Sequence, residues 1–316
     1  MMKLNDLYTG FNNFQDVGKA VLSFLHQHLG FELWMITRVD NEDWIVLQSE
    51  DHGYDVHPGA VFRWSDSFCS HMVLGETPTI APDSEKIPLY KTAPIAQQVK
   101  IRAYIGQPLW DQNGELFGTL CAIDPNIKDD SLFNAQAMIE LLANLLSYVL
   151  QAELRESELK RQYERLEAEV LKDHLTGIYN RRGWDYLLEA EEERCKSYGH
   201  SAAVLVIDLN DLKKTNDQFG HDVGDQLIKH TADILAGSVR EGDIVARLGG
   251  DEFGVICIQI DFSSTVLLLK QILQNLKCHQ ISAAIGFSMR HPSQDLHQAC
   301  VDADKDMYQH KDHLHK

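Results

Sequence analysis

Paired cysteines are missing from this sequence. Its six, Cys69, Cys121, Cys195, Cys257, Cys278 and Cys300, are scattered without a C-x-x-C spacing. That argues against zinc or a disulfide framework and predicts reduced, buried thiols in a cytoplasm. Long apolar runs are missing as well. The most apolar helical stretch, Met138 to Leu150, is short for a bilayer span and contains Glu140 and Asn144, and the opening residues Met1 to Gln15 are polar and mixed rather than a signal peptide. No membrane partner is expected. Positive charge is the third shortage: 29 Lys and Arg stand against 47 Asp and Glu, a formal net charge of −18. A duplex needs a basic stripe, so nucleic acid is not an expected partner. A nucleotide substrate stays allowed, because a divalent cation neutralises phosphates locally.

What is present suffices for two cores: 316 residues, 44% hydrophobic and 24% charged, the balance of a soluble globular chain. Three parts follow, with no internal repeat. Residues 1–150 mix helices and alternating strands. Phe14 to Leu29 reads as an amphipathic helix stopped by Gly30. Glu32 to Arg38 and Trp44 to Ser49 read as strands, and Ala103 to Trp110 with Leu116 to Ile123 as a hairpin around Asp111-Gln112-Asn113-Gly114. A helix from Leu132 to Leu150 closes the part. Residues 151–172 are charged and lack Gly and Pro. Leu145, Ala152, Leu159 and Leu166 fall at d, and Val149, Glu156, Tyr163 and Val170 at a, over about three heptads. This spacing predicts a short parallel coiled coil, hence a homodimer, with a single amphipathic helix packed on its own domain as the alternative. Residues 173–316 alternate helix, strand Ala202 to Leu209, helix, hairpin, helix, strand Ile281 to Met289 and helix. The pattern predicts an α+β sheet with helices on one face.

The hairpin tip, Arg247-Leu248-Gly249-Gly250-Asp251-Glu252-Phe253, is the most informative stretch. Two glycines allow a tight turn and close approach of a ligand, and two carboxylates put negative charge where a divalent cation can sit. On these residues alone a plain Gly-Gly-Asp turn explains as much. The apolar strand 202–207 ends at Asp208-Leu209-Asn210-Asp211, however, and strand ends favour ligand sites. Asp208 and the Asp251–Glu252 pair, meeting at one sheet edge, would hold Mg²⁺ against phosphate oxygens.

These residues resemble GGDEF diguanylate cyclases. The resemblance rests on Gly249-Gly250-Asp251-Glu252-Phe253, on Asp208-Leu209-Asn210-Asp211-Leu212-Lys213-Lys214-Thr215-Asn216-Asp217 followed by Gly220-His221 and Gly224-Asp225, and on Asp173-His174-Leu175-Thr176-Gly177-Ile178-Tyr179-Asn180-Arg181-Arg182. It implies a ferredoxin-like, nucleotidyl-cyclase-type βαββαβ core and condensation of two GTP to cyclic di-GMP across a dimer. It further implies Mg²⁺, or Mn²⁺ in its place, on Asp208, the Leu209 carbonyl, Asp251 and Glu252. Asp251 would serve as base with Glu252 in support, Lys213 would steady phosphate charge, and Asn216, His221 and Asp225 would contact the guanine nucleotide. Gly249 and Gly250 would admit the substrate, and Lys311 would reach a phosphate. Arg240-Glu241-Gly242-Asp243 matches the R-x-x-D product-inhibition site at its usual spacing, so cyclic di-GMP is expected to return as an inhibitor through Arg240 and Asp243.

Departures from the family pattern are Leu212 for Phe, Thr215 for Ile or Val, Ala284 for Ser, and Leu314-His315 for the closing Gly-Arg. A neutral His does not replace a bidentate Arg, and Lys316 is the nearest substitute. The alternative function is therefore a catalytically dead cyclic di-GMP receptor, or a scaffold working through the first domain. That domain resembles a GAF sensory domain in Phe68-Cys69-Ser70-His71, Ile105-Gly106-Gln107-Pro108-Leu109 and Gly118-Thr119-Leu120-Cys121-Ala122-Ile123-Asp124. Such motifs identify a fold and no ligand, although an unknown small ligand would be in keeping with it.

Overall fold

The computed structural model describes residues 10–314. The chain divides into two compact units, residues 1–158 with 197–199 and residues 159–196 with 200–316.

In the first unit, helix α1 (Phe14–Leu29) starts where the Asn13 side chain accepts from the Asp16 amide and stops at Gly30, φ 61°, a left-handed cap that glycine adopts without strain. Its buried residues Phe14, Gly18, Leu22 and Leu25 recur at helical spacing and face a sheet. The strands are β1 (Leu33–Asp40), β2 (Asp43–Asp51), β3 (Val61–Arg63), β4 (Ile80–Ala81), β5 (Ala103–Trp110) and β6 (Leu116–Asp124), in the order β3-β2-β1-β6-β5-β4. Every neighbouring pair is antiparallel. One face carries α1 and the start of α5 (Gln136–Ala168), through Ile139, Ala143, Leu146 and Leu150. The other face is covered by the short helices α2 (Phe68–Val73), α3 (Pro88–Thr92) and α4 (Pro94–Gln98).

Helix α5 differs from expectation in length. A 3-10 segment, Asp130–Ala135, precedes it, and it then runs 33 residues without interruption, since no Gly or Pro after Gln136 breaks it. The stretch Asp130–Leu171 is the one among the described residues long and apolar enough, by length and composition, to cross a membrane. This corrects the expectation that the helix is too short for one. Its Ile139, Ala143, Leu146 and Leu150 serve the core of the first unit.

The second unit is built on β7 (Ala202–Leu209), β8 (Ile244–Gly249), β9 (Glu252–Ile258) and β10 (Ala283–Met289), ordered β10-β7-β9-β8 with antiparallel neighbours. Helices α7 (Leu212–Phe219) and α8 (His221–Ser238) lie between β7 and β8, and α9 (Phe262–Cys278) lies between β9 and β10, which gives the expected βαββαβ core. The expectation of helices on one face is corrected. Ala203, Leu205 and Ile207 of β7 pack with Ile228, Ala232 and Leu235 of α8 and Ile272 of α9. Ala202, Val204 and Val206 point the other way, onto Trp184 and Leu187 of α6 (Arg181–Tyr198) and Leu296, Ala299 and Ala303 of α10 (Leu296–Leu314). All eight residues of β7 are buried, as a strand covered on both faces requires. At β10 the approach of α10 is close enough to demand glycine: a Cβ on Gly286 would meet the Met307 nitrogen at 2.1 Å and the Ala303 oxygen at 2.2 Å.

Candidate active site

The site grows from where three strands end together. Asp208, next to last in β7, is paired in register with Glu252, first in β9. Gly249 at the end of β8 also pairs with Glu252, leaving Gly250-Asp251 as a two-residue tip. Gly250 has φ 40°, a left-handed conformation that glycine tolerates best. The tip is drawn over the end of β7 by the Leu209 amide, which donates to the Asp251 carbonyl at 3.0 Å. A Cβ at Gly249 or Gly250 would meet nothing within 4 Å, so the space outside the tip is open to a ligand.

Arg247 fixes this tip, a role that sequence reasoning did not assign. Its Nε and Nη2 donate to the Gly250 carbonyl at 3.0 and 2.8 Å, and its Nη1 reaches Asp173 Oδ1 at 3.3 Å. The same Asp173 oxygen accepts from the Thr176 amide at 3.0 Å and the Thr176 hydroxyl at 2.7 Å. Burial opposes ionisation of Asp173, but the Thr176 hydroxyl and amide and the Arg247 guanidinium outweigh it and hold the carboxyl below its usual range. The D-x-L-T-G turn thus braces the hairpin through one arginine. Only its position two residues before the glycines marked it in the sequence.

From the opposite side, α10 delivers Lys311. Two contacts hold that helix to β10: Asp306 accepts from the Phe287 amide at 3.0 Å, and His310 Nδ1 lies 2.7 Å from the Ile285 carbonyl. Lys311 Nζ then donates to Asp208 Oδ1 at 2.7 Å. This hydrogen bond raises the Lys311 pKa, burial lowers it, and the charges of Asp208 and Asp251 raise it further. A cation already sits where the two aspartates face.

The guanine candidates follow on α7 and α8. Asn216 is half-buried, its Oδ1 has no hydrogen-bond partner, and it lies 1.9 Å from where a Cβ on Gly224 would stand. Glycine at 224 therefore leaves room for the Asn216 amide, one residue before Asp225. An orphaned buried acceptor is costly unless something fills it. Asp225, His221 and Lys213 are exposed, the last in the first turn of α7. His315 and Lys316 lie outside the described residues.

Residues 170–316 match the family described as Diguanylate cyclase, GGDEF domain, and residues 13–150 match the GAF domain. Residues 170–316 thus form a GGDEF-family domain, with a GAF domain ahead of it. Diguanylate cyclase DgcP of Escherichia coli (strain K12) is 28% identical over 231 residues, 70% of this chain and 67% of that one. Diguanylate cyclase DgcS of Shewanella oneidensis is 31% identical over 156 residues, 48% of this chain and 52% of that one. The matched region of the latter is thus about half its length. A solved GGDEF domain, that of DgcB from Caulobacter crescentus in complex with c-di-GMP, matches 45% of this chain and 90% of that one, at 26% identity and a TM-score of 0.43.

Within the GGDEF domain the R-x-x-D loop is folded on itself. Asp243 Oδ2 accepts from the Arg240 amide at 3.0 Å and Oδ1 from the Ile258 amide at 3.1 Å. Burial raises the Asp243 pKa against these bonds. The Arg240 side chain is exposed. Arg165, on the last turns of α5, grips the loop by donating to the carbonyls of Glu241, at 3.2 Å, and of Gly242. No sequence signal marked this contact, because Arg165 falls off the heptad seam.

No group of three or more His, Cys, Asp or Glu among the described residues forms a ready-made metal cage. Mg²⁺ does not need one, since it keeps waters and takes one or two carboxylates plus substrate phosphates. Asp208 and Asp251 around the Lys311 ammonium fit that donor set. Glu252 is exposed beside them.

Proposed function

We propose that the chain condenses two GTP into cyclic di-GMP with release of two pyrophosphates. The observation that carries this reading is the gathering of Asp208, the Gly250-Asp251 tip and the Lys311 ammonium at one end of the four-stranded sheet. Mg²⁺, or Mn²⁺, held by Asp208, Asp251 and the Leu209 carbonyl with Glu252 in support, would neutralise phosphate charge. The 3′-oxygen of one GTP attacks the α-phosphorus of the other, and a P–O bond forms as the bond to pyrophosphate breaks. Asp251 takes the hydroxyl proton. Lys213 and Lys311 face the phosphates, and Lys311 exchanges its Asp208 contact for a phosphate oxygen. Positioning and charge stabilisation supply most of the rate in such transfers.

Guanine is the base this site favours. The Asp225 carboxylate accepts from the N–H groups of guanine's Watson–Crick edge, the Asn216 amide offers a further contact and His221 a third. Adenine presents an acceptor at N1 instead. A site built for such bonds discriminates by roughly 10⁴-fold. Gly249 and Gly250 leave the substrate room.

Each subunit holds half a reaction, so two copies must face one another. On the part of α5 in the second unit, Leu159, Tyr163 and Leu166 are exposed, with Val170 just beyond it, at 59% to 85%. They fall at the a and d heptad positions, and a parallel helix pair would cover them. Product returning to Arg240 and Asp243 would restrain turnover. The deciding assay incubates purified protein with GTP and Mg²⁺, resolves the products and runs Asp251→Ala alongside. Cyclic di-GMP from the wild type alone supports the enzyme. No product from either, with cyclic di-GMP binding that depends on Arg240, leaves a non-enzymatic receptor.

A further inference from the structure

The GAF sheet holds a cavity of about 180 Å³ on the face covered by α2 and α4. Met35, Trp44 and Tyr104 line it from the strands, Phe62 and Tyr54 from the segment around β3, and Phe68 from α2. The aromatic wall is locked in place. Phe68 stacks on Tyr90 with ring centroids 4.4 Å apart, and Tyr104 meets Phe68 edge-on at 5.5 Å and Tyr90 at 5.0 Å. The lining tyrosines have already placed their hydroxyls: Tyr104 donates to Cys69 Sγ at 3.2 Å and Tyr54 to the Lys100 carbonyl at 2.8 Å. Neither makes a polar demand on an occupant. No Lys, Arg or His among the described residues lines the space, and its polar side chains at the rim, Asp55 and Gln98, are exposed.

Each feature narrows the ligand. A dry cavity of about 150 Å³ with apolar walls takes up benzene, so this one has the size for a single ring or a small fused pair. Aromatic walls favour a planar aromatic guest through edge-to-face and offset contacts. The lack of a cationic partner disfavours phosphate and carboxylate, because an anion moved into such walls loses its hydration without replacement. We propose that the GAF cavity binds a small, uncharged aromatic ring compound, and not a nucleotide. The inference is independent of the catalytic reading, since it concerns other residues and is tested by binding alone.

The test uses the full chain and fluorobenzene, followed by ¹⁹F NMR, with 4-fluorobenzoate as a charged ligand of similar shape and GMP as competitor. Saturable fluorobenzene binding is expected, with benzoate at least tenfold weaker and no displacement by GMP. Val56→Trp, at the half-buried wall, should weaken fluorobenzene at least tenfold, and Gln97→Ala, exposed and outside the lining, should leave it unchanged. Ile95→Trp serves in place of the first variant if that one fails to fold by circular dichroism. Absence of saturable binding to the wild type overturns the proposal. So does benzoate binding as tight as fluorobenzene, displacement by GMP, or undiminished binding to a folded cavity-filling variant.

Discussion

In the four-stranded sheet the polar groups gather where the strands stop, around Asp208, Gly250-Asp251 and Lys311. In the six-stranded sheet the open space lies on a face, among Met35, Trp44, Phe68 and Tyr104. Both sheets are antiparallel and covered by helices on two sides. The first leaves backbone and carboxylates exposed at an edge, where phosphates and a divalent cation can be met from water. The second encloses an apolar volume that only a guest willing to leave water would enter. On the proposed readings, one architecture offers a charged ligand its edge and an uncharged one a space within its layers.

Asp208→Asn tests the edge most severely. It removes charge from the cation position while keeping the shape, and cyclic di-GMP formation should fall on the order of 10³-fold, about 4 kcal/mol of barrier. The ring-compound binding of the GAF domain should not change. Turnover within tenfold of wild type would remove Asp208 from the metal site. The counterpart in the other sheet is Phe68→Ala. Truncating a buried phenylalanine costs about 3 kcal/mol or more, so calorimetry should show the GAF transition moving down, whereas the GGDEF transition stays. A matched loss in both transitions would mean that the two units unfold as one.

The two regions also differed in how readable they were. The edge could be named from sequence because its residue types are unusual at those positions: carboxylates after an apolar strand, paired glycines at a tip, and an Asn four residues before Gly-His. The helix α1 and both hairpins were legible for the same reason, through Gly30 and the Asp111–Gly114 turn. The cavity was not. Trp44 or Phe68 reads alike whether its face meets a neighbour or an empty space, and only packing decides which. Burial of the second face of β7 was missed on similar grounds: a continuous apolar run signals a central strand but not which helices cover it. Arg247 and Arg165 escaped because a surface arginine in sequence has no partner until folding brings one.

Arg247→Ala asks whether the edge needs its brace. The variant loses both contacts to the Gly250 carbonyl and the link to Asp173, with no catalytic group removed. Misplacing reacting groups by about 1 Å costs up to roughly 10²-fold, so a 10- to 100-fold fall in kcat is expected with the fold intact by circular dichroism. Arg247→Lys should recover little, since one ammonium cannot make the fork. An unchanged kcat would reduce Arg247 to a stabilising contact.

The smallest effect concerns acid. Asp173 ionises more readily in the fold than in the unfolded chain, because the Thr176 hydroxyl and amide and the Arg247 guanidinium favour the carboxylate against its burial. A depressed carboxyl pKa adds stability above the unfolded value of about 3.9. That increment is lost as pH falls through the lower folded value, when both states become protonated. Asp173→Asn should therefore be less stable than the wild type at pH 7, by less than about 1 kcal/mol for a partly exposed pair. The two should converge as pH falls through the lowered folded-state value, in urea unfolding followed across pH. A difference that persists at low pH would assign the stabilisation to the shape of the D-x-L-T-G turn. A difference that disappears assigns it to charge, and the hairpin brace then weakens in acid.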